Sequence, residues 1–254
     1  MPGSELYFDP RIDFLGRLYC RLLGVPIVGL RIRARRLQQL LPTTAFSVLD
    51  AGCGRGVITR ILSRRFPGAV INAVDADTDA QNANREISEK AGFNNCNFID
   101  GDLIHYISLE QYDLIVSVDN LEHIQDDEKV LHNFFQSLKV AGTLVVHVPH
   151  FYRRWPILAW KQNFDVPGHV RPGYHLPELV EKVERAGFII QKKGFSFGIL
   201  ENLTNNISYL ISGAEEKNRA LYVLVFPLLN FFSWLGSFTK PGFGAGAWVV
   251  ATKE

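Results

Sequence analysis

Residues 46–57 read FSVLDAGCGRGV. Phe46–Asp50 is a short apolar run, and it ends in glycine-rich sequence, as a buried strand ends in a turn. Gly52, Gly54 and Gly56 free the backbone to turn tightly and to approach a ligand closely. Val57–Phe66 then reads as a helix. Gly-x-Gly-x-Gly spacing puts Val57 where a dinucleotide fingerprint needs its third glycine, so no pyrophosphate cradle is indicated.

The same alternation continues outward. Val70–Val74 is a second strand ending at Asp75, an acid well placed to accept hydrogen bonds from ribose hydroxyls. Thr78 is a plausible N-cap for a helix that stops near Gly92. Asn97–Ile99 is a third strand. Tyr112–Val118 (YDLIVSV) is a fourth, nearly continuous in apolar residues as buried parallel strands are. Asp126, Asp127 and Glu128 suit the positive end of a helix that closes on Lys139 before Gly142. Thr143–Val148 is a fifth strand, Pro177 opens a further helix that Gly187 ends, and Phe188–Gln191 and Trp248–Ala251 supply two more strands. Alternating strands and helices predict an α/β fold with a parallel sheet, helices on both faces and ligands at the carboxyl ends of the strands.

Composition excludes several classes. The chain has 254 residues, 47% hydrophobic and 21% charged, an ordinary globular balance that a disordered segment would not have. Lys and Arg number 27 against 26 Asp and Glu, so the net charge of +1 provides no basic stripe for nucleic acid. Cys20, Cys53 and Cys96 are too few and too scattered for a disulfide framework or a zinc knuckle, which fits a reduced, cytoplasmic compartment. The first residues, MPGSELYFDP, lack the basic-then-apolar run of a signal peptide.

With these residues in view, the chain resembles the class I S-adenosylmethionine-dependent methyltransferases, in particular their ubiquinone-biosynthesis-like branch. VLDAGCGRG (48–56) looks like their first motif and VINAVDAD (70–77) like their second. Ile99-Asp100-Gly101-Asp102-Leu103 resembles the loop that holds the adenine, and YDLIVSVDNLEHI (112–124) the fourth-strand motif. A weaker similarity runs through GHVRPGYHLPELVEKVERAGF (168–188). Lys139-Val140-Ala141-Gly142 departs from the family's Lys-Pro-Gly-Gly turn before strand five.

The resemblance implies a Rossmann-like seven-stranded sheet, mostly parallel, with an antiparallel last strand, in one methyltransferase domain over residues 1–254. Its expected parts are an N-terminal helical cap (1–45), a cofactor-binding core (46–150), a substrate-side half (151–198), a hydrophobic insertion (199–246) and the last strand (247–254). S-adenosyl-L-methionine is the implied cofactor. Gly52, Gly54 and Gly56 would admit its methionine part, Asp50 would orient the loop or the ammonium, and Asp75 beside Ala76 would bind the ribose. Asp102 and the Leu103 amide would hold the adenine, and the Val118 carbonyl would face the ammonium.

The acceptor is expected to be a small, hydrophobic or lipid-linked molecule methylated on oxygen. A carbon or nitrogen acceptor, and a non-catalytic cofactor-binding module, are the alternatives. An oxygen nucleophile gains from a general base. His150, after strand five, and His169, in the loop GHVRPGY, are the leading candidates, with His123 a third. His147, inside a strand, is expected to be a core group. Asp119, Glu122 and His123 match a Glu-x-x-Glu-His metal set of some relatives conservatively. The same spacing serves as a metal-free turn, and no metal is the expectation.

Two segments stand outside this scheme. Residues 11–36 carry Arg11, Arg17, Arg21, Arg31, Arg33, Arg35 and Arg36 against one acid, Asp13, with Phe14, Leu18 and Leu22 at helical spacing. That is a basic amphipathic pattern. LYVLVFPLLNFFSWLGSF (221–238) contains no charge. Pro227, Asn230 and Ser233 oppose a membrane span, so this segment is expected to line a lipophilic pocket or to touch a membrane surface.

Overall fold

The computed structural model describes residues 1–154, 160–162, 168–212 and 219–254. Helices α1 (Phe14–Leu23) and α2 (Val28–Leu40) precede β1 (Ser47–Ala51), α3 (Val57–Arg65), β2 (Val70–Asp75), α4 (Thr78–Ala91), β3 (Cys96–Asp100) and β4 (Tyr112–Val118). Then follow α5 (Asp127–Ser137), β5 (Leu138–Pro149), β6 (Tyr152–Arg154), β7 (Trp160–Gln162), α6 (Leu176–Arg185) and β8 (Ile189–Ser196). Helices α7 (Ile199–Ser212) and α8 (Arg219–Gly236) lead to β9 (Gly246–Thr252).

Seven strands form one sheet in the order β3-β2-β1-β4-β5-β9-β8. β1 is parallel to β2 and β4, and β5 continues parallel to β4. β9 runs antiparallel to both β5 and β8. This is the Rossmann-like architecture expected, with strand order reversing beside β1.

Both sheet faces are buried, which explains the unbroken apolar runs. Leu49, Ile115, Val146 and Val249 join one core with Leu131, Phe134, Leu179 and Val183 of α5 and α6. Their neighbours Val48, Leu114, Val116, Val145 and Val250 join another with Leu37, Ile58, Ile61 and Leu62 of α2 and α3. Successive strand residues thus serve opposite faces.

Several boundaries differ from expectation. α5 stops at Ser137 and Leu138 already begins β5, because Tyr112 pairs with Leu138 ahead of a register shift and Ala141 takes a left-handed φ of 62°. Asp77 rather than Thr78 caps α4, its carboxylate accepting the Ala80 amide at 3.0 Å. β8 runs on to Ser196.

The basic segment 11–36 is two helices, broken where Gly24 adopts φ 71°. Its arginines divide between them. Arg31, Arg35 and Arg36 of α2 turn inward, with Arg35 donating to Ser233 at 2.8 Å and Arg36 paired with buried Glu201 of α7. The apolar face of α1 turns outward instead, with Leu15 75% exposed. No helix among the described residues is long and apolar enough to cross a membrane.

Candidate active site

The parallel register brings the carboxyl ends of β1, β2, β4 and β5 to one edge, where Ala51 faces Val74 and Val118 faces His147. A cavity of about 510 Å3 opens there. Its floor includes Asp50, Gly52, Gly54 and Val118, and its walls include Glu122, His123, His147 and His169.

The glycine turn is held from below. Val74 accepts the Gly52 amide at 2.9 Å and the Cys53 amide at 3.2 Å. Gly52 has φ 81°, and a Cβ there would sit 2.2 Å from Asn120 Cγ, so the β4 turn packs directly on it. Gly54, at φ 48°, faces open space with no atom within 4 Å of a Cβ position. Gly56 caps α3 beside Asn84 and is not a cavity residue. Open space above Gly54, bounded by backbone and Val118, fits a nucleoside cofactor's approach.

Asp50 is buried, and Thr59 Oγ1 donates to its carboxylate at 2.6 Å. Burial pushes its carboxyl up to about 7, opposed by the Thr59 hydrogen bond and reinforced by the nearby Asp75 charge. Asp75 accepts the Gly54 amide at 2.7 Å and the Asp77 amide at 3.0 Å, tying β2 to the glycine turn. Asp102 accepts the Ile104 amide at 2.9 Å, and Leu103 is buried, its carbonyl bound by Asn133. Asp75 ends β2, and Ala76, Asp102 and Leu103 lie just past β2 and β3 on the same sheet edge, all outside the walls of the 510 Å3 cavity.

The turn after β4 gathers the titratable groups. Asp119 has φ 49°, which directs its carboxylate to His147 Nδ1 at 2.7 Å and to Arg33. Burial raises the Asp119 carboxyl, but the charges of Arg33 and His147 outweigh that and hold it below the usual range. Nε2 of His147 meets Ser196 Oγ at 2.6 Å. His147 is thus buried and fully bonded as expected, yet it also reaches the cavity wall.

Glu122 is buried, and neither carboxyl oxygen has a hydrogen-bond partner among the described residues. Burial, then the Asp119 charge, pushes its carboxyl well above the usual range. His123 Nδ1 lies 3.0 Å from the Gly168 carbonyl, and its ring is 4.5 Å from that of His169. Burial, then His123, lowers the His169 imidazole below its ordinary value. Ligand atoms of Glu122, His123 and His169 lie within 4.8 Å of one another. Thus Glu122 and His123 of the Asp119, Glu122 and His123 trio meet His169, while Asp119 is engaged by Arg33 and His147.

The structure does not bring His150 to the cavity. It packs against Phe195 and His175, with Nδ1 2.9 Å from the Tyr152 carbonyl. Leaving β5 one residue after Pro149, its ring turns to the far side of the strand from His147's neighbours. Arg171, beside His169 in sequence, binds Asp127 and the Ile124 and Gln125 carbonyls, anchoring that loop to α5.

Sequence reasoning missed Arg33 of α2 and Asn202, Asn205 and Tyr209 of α7, all on the cavity wall. Periodicity places Arg33 on a helix but does not say that this helix, or the 199–212 segment, closes over the β1–β4 edge.

A family model described as a methyltransferase domain matches residues 28–193. Trans-aconitate 2-methyltransferase of Mycolicibacterium gilvum is 29% identical over 157 residues, 62% of this chain and 49% of that protein. Malonyl-[acyl-carrier protein] O-methyltransferase of Priestia megaterium is 32% identical over 118 residues, 44% of this chain and 41% of that protein. The matches span about half the length of these curated relatives. The solved structure of geranyl diphosphate C-methyltransferase from Streptomyces coelicolor, in complex with Mg2+, geranyl diphosphate and S-adenosyl-L-homocysteine, has a TM-score of 0.61 at 11% identity, covering 98% of this chain and 87% of that one. At that identity the likeness is one of fold. The glycine turn, the acids at successive strand ends, the sheet order and the family match converge: the chain belongs to the class I S-adenosylmethionine-dependent methyltransferase family.

Proposed function

We propose that this protein transfers the methyl group of S-adenosylmethionine to an oxygen of a small lipophilic acceptor. The observation that carries the reading is the single cavity joining the glycine turn to His123 and His169, with Leu30, Phe197 and Tyr209 as apolar lining. When bound, S-adenosylmethionine supplies an electrophilic methyl on a sulfonium leaving group. Gly52, Gly54 and Val118 would hold its methionine part, Asp50 the loop or the ammonium, and Asp75 the ribose. Asp102 and Leu103 would take the adenine.

The protein's own task is alignment and proton removal. Walls that hold acceptor oxygen and methyl carbon in line reduce the entropic part of the barrier. His169 keeps its ring neutral near pH 7, because burial and His123 disfavour the imidazolium. His169 lines the cavity and is the ring we assign to take the acceptor's proton as the carbon–oxygen bond forms. His147 is held by Asp119 and Ser196 and serves as a support of the wall.

One observation favours a second reading of the same wall. The clustered Glu122, His123 and His169, with both Glu122 oxygens unpartnered, would hold a divalent cation that orients the acceptor oxygen. Incubation of the protein with isotope-labelled S-adenosylmethionine and candidate acceptors, read by mass spectrometry, tests the main reading. Label on an acceptor oxygen supports it; label on carbon or nitrogen, or on no acceptor, refutes it. Activity lost on chelation and restored by a divalent ion that takes imidazole ligands, such as zinc or iron(II), would establish the second reading.

A further inference from the structure

Two helices present apolar faces to solvent beside a second cavity. On α1, Phe14, Leu15, Leu18 and Leu22 form one exposed stripe, with Phe14 65% and Leu22 63% exposed. On α8, Leu221, Leu224, Leu228, Phe231 and Leu235 form another at helical spacing, with Leu224 77% exposed. Aromatic rings flank its end, where Trp234 packs edge-on to Phe238 at 5.0 Å. The helices meet where Tyr19 donates to the Val223 carbonyl at 3.1 Å and its ring lies 6.4 Å from Phe226.

Among the described residues, the charges carried on α1 and α8 themselves are basic. Arg17 and Arg21 are the charged residues of α1 and border its apolar stripe. Residues 221–238 carry none; Glu215, Glu216, Lys217 and Arg219, two of each sign, precede them in sequence, and Lys240 follows. The neighbouring acid, Asp13, caps α1 by accepting the Gly16 amide at 2.6 Å. An apolar stripe bordered by arginines is the pattern of a helix that lies in the headgroup region of an anionic bilayer.

The second cavity, about 380 Å3, lies between these helices and is lined by Gly16 and Tyr19 of α1 and Tyr222 and Val223 of α8. It shares Arg33, Arg55, Asn205 and Tyr209 with the first cavity. The two cavities therefore adjoin across these four side chains.

We propose that the α1–α8 face docks on an anionic lipid bilayer, and that the second cavity admits the acyl or prenyl part of a membrane-resident acceptor to the methyl-transfer site. The inference rests on the proposed function for its second half; the docking stands without it.

The test uses the full chain with phosphatidylcholine vesicles, with and without phosphatidylglycerol, in co-sedimentation. Partition is expected to rise about tenfold or more with the anionic lipid, since each basic residue at such a surface contributes about fivefold. Acyl-brominated lipid is expected to quench Trp234, and W234F to remove that quenching. L224E/L228E, at exposed positions outside both cavities, is expected to lose vesicle binding at least tenfold while S-adenosylhomocysteine still raises its melting temperature. Sedimentation that ignores lipid charge, or self-association of the wild type abolished by L224E/L228E without vesicle binding, would overturn the docking. Vesicle binding with no response to S-adenosylhomocysteine would uphold the docking and refute the proposed function instead.

Discussion

Arg36 joins α2 to the hydrophobic insertion, and its removal should loosen one side of the active-site cavity. Its Nε and Nη2 donate to Glu201 at 2.8 and 2.9 Å, and its remaining bonds reach the Gly236, Ser237 and Thr239 carbonyls at 3.0, 3.2 and 2.8 Å. The Glu201 side chain is fully buried and also accepts the Gly198 amide at 3.0 Å, just before α7. R36L leaves a buried carboxylate without its countercharge and the Thr239 carbonyl without its arginine donor, while the Gly236 and Ser237 carbonyls keep Thr239 and Gln39. Removing one partner of a buried pair costs about 3–5 kcal/mol. Against a total stability of about 5–15 kcal/mol, that is a large fraction. At about 2–4 °C per kcal/mol for a domain of this size, the melting midpoint should fall on the order of 10 °C. R36L/E201L should recover more than half of the loss, because no lone charge remains buried. R36K should fall between, since an ammonium cannot serve five acceptor sites in a plane. Urea unfolding of all four proteins measures this. An R36L variant within about 0.5 kcal/mol of wild type, the size of an ordinary surface change, would refute the reasoning.

G52A combines a left-handed φ of 81° with a Cβ 2.2 Å from Asn120 Cγ. The backbone alone costs about 1–2 kcal/mol, so calorimetry should show S-adenosylhomocysteine binding weakened tenfold or more. Asp50 titrates near pH 7 in the folded protein, against about 3.9 in an unfolded chain. Its contribution to stability is therefore complete below about pH 4 and declines as pH rises toward 7, by at most about 1.4 kcal/mol per pH unit. D50N should flatten that decline in urea titrations between pH 4 and 7; an unchanged slope contradicts it. H169A should lower turnover about a hundredfold while leaving S-adenosylhomocysteine affinity intact, and H150A should leave both near wild type because its ring lies outside the cavity. Equal rates in H169A and wild type would remove His169 as the base.

The sheet was legible because its signals are local. FSVLD, VINAV and YDLIVSV are apolar on both faces, and each stops at an acid or a glycine turn. The glycine turn itself was legible for the same reason, since Gly52 and Gly54 lie at positive φ. Helix ends were less so: α5 gives way to β5 at Leu138 because Tyr112 pairs there, a contact 26 residues distant that no capping residue announces. The histidines were harder. His147 and His150 are three residues apart on or beside one strand, and whether a ring meets the cavity or the aromatic pocket of Phe195 depends on where β5 ends. Arg33 and Asn205 come to the cavity from helices at opposite ends of the chain, a long-range packing that periodicity does not encode. The arginines of 11–36 misled for a related reason, since helical spacing alone does not say that Arg36 faces a buried glutamate or that Phe14 faces water.

The central claim is that the cavity above Gly54 holds S-adenosylmethionine. Isothermal titration of the purified protein with S-adenosylmethionine, S-adenosylhomocysteine and NAD tests it most directly, paired with melting curves at a hundredfold excess over each dissociation constant. Saturable binding of the first two is expected, with stabilisation of about 2.7 kcal/mol at that excess, weakening in G52A, and no response to NAD. Binding of NAD without binding of either S-adenosyl ligand would contradict it.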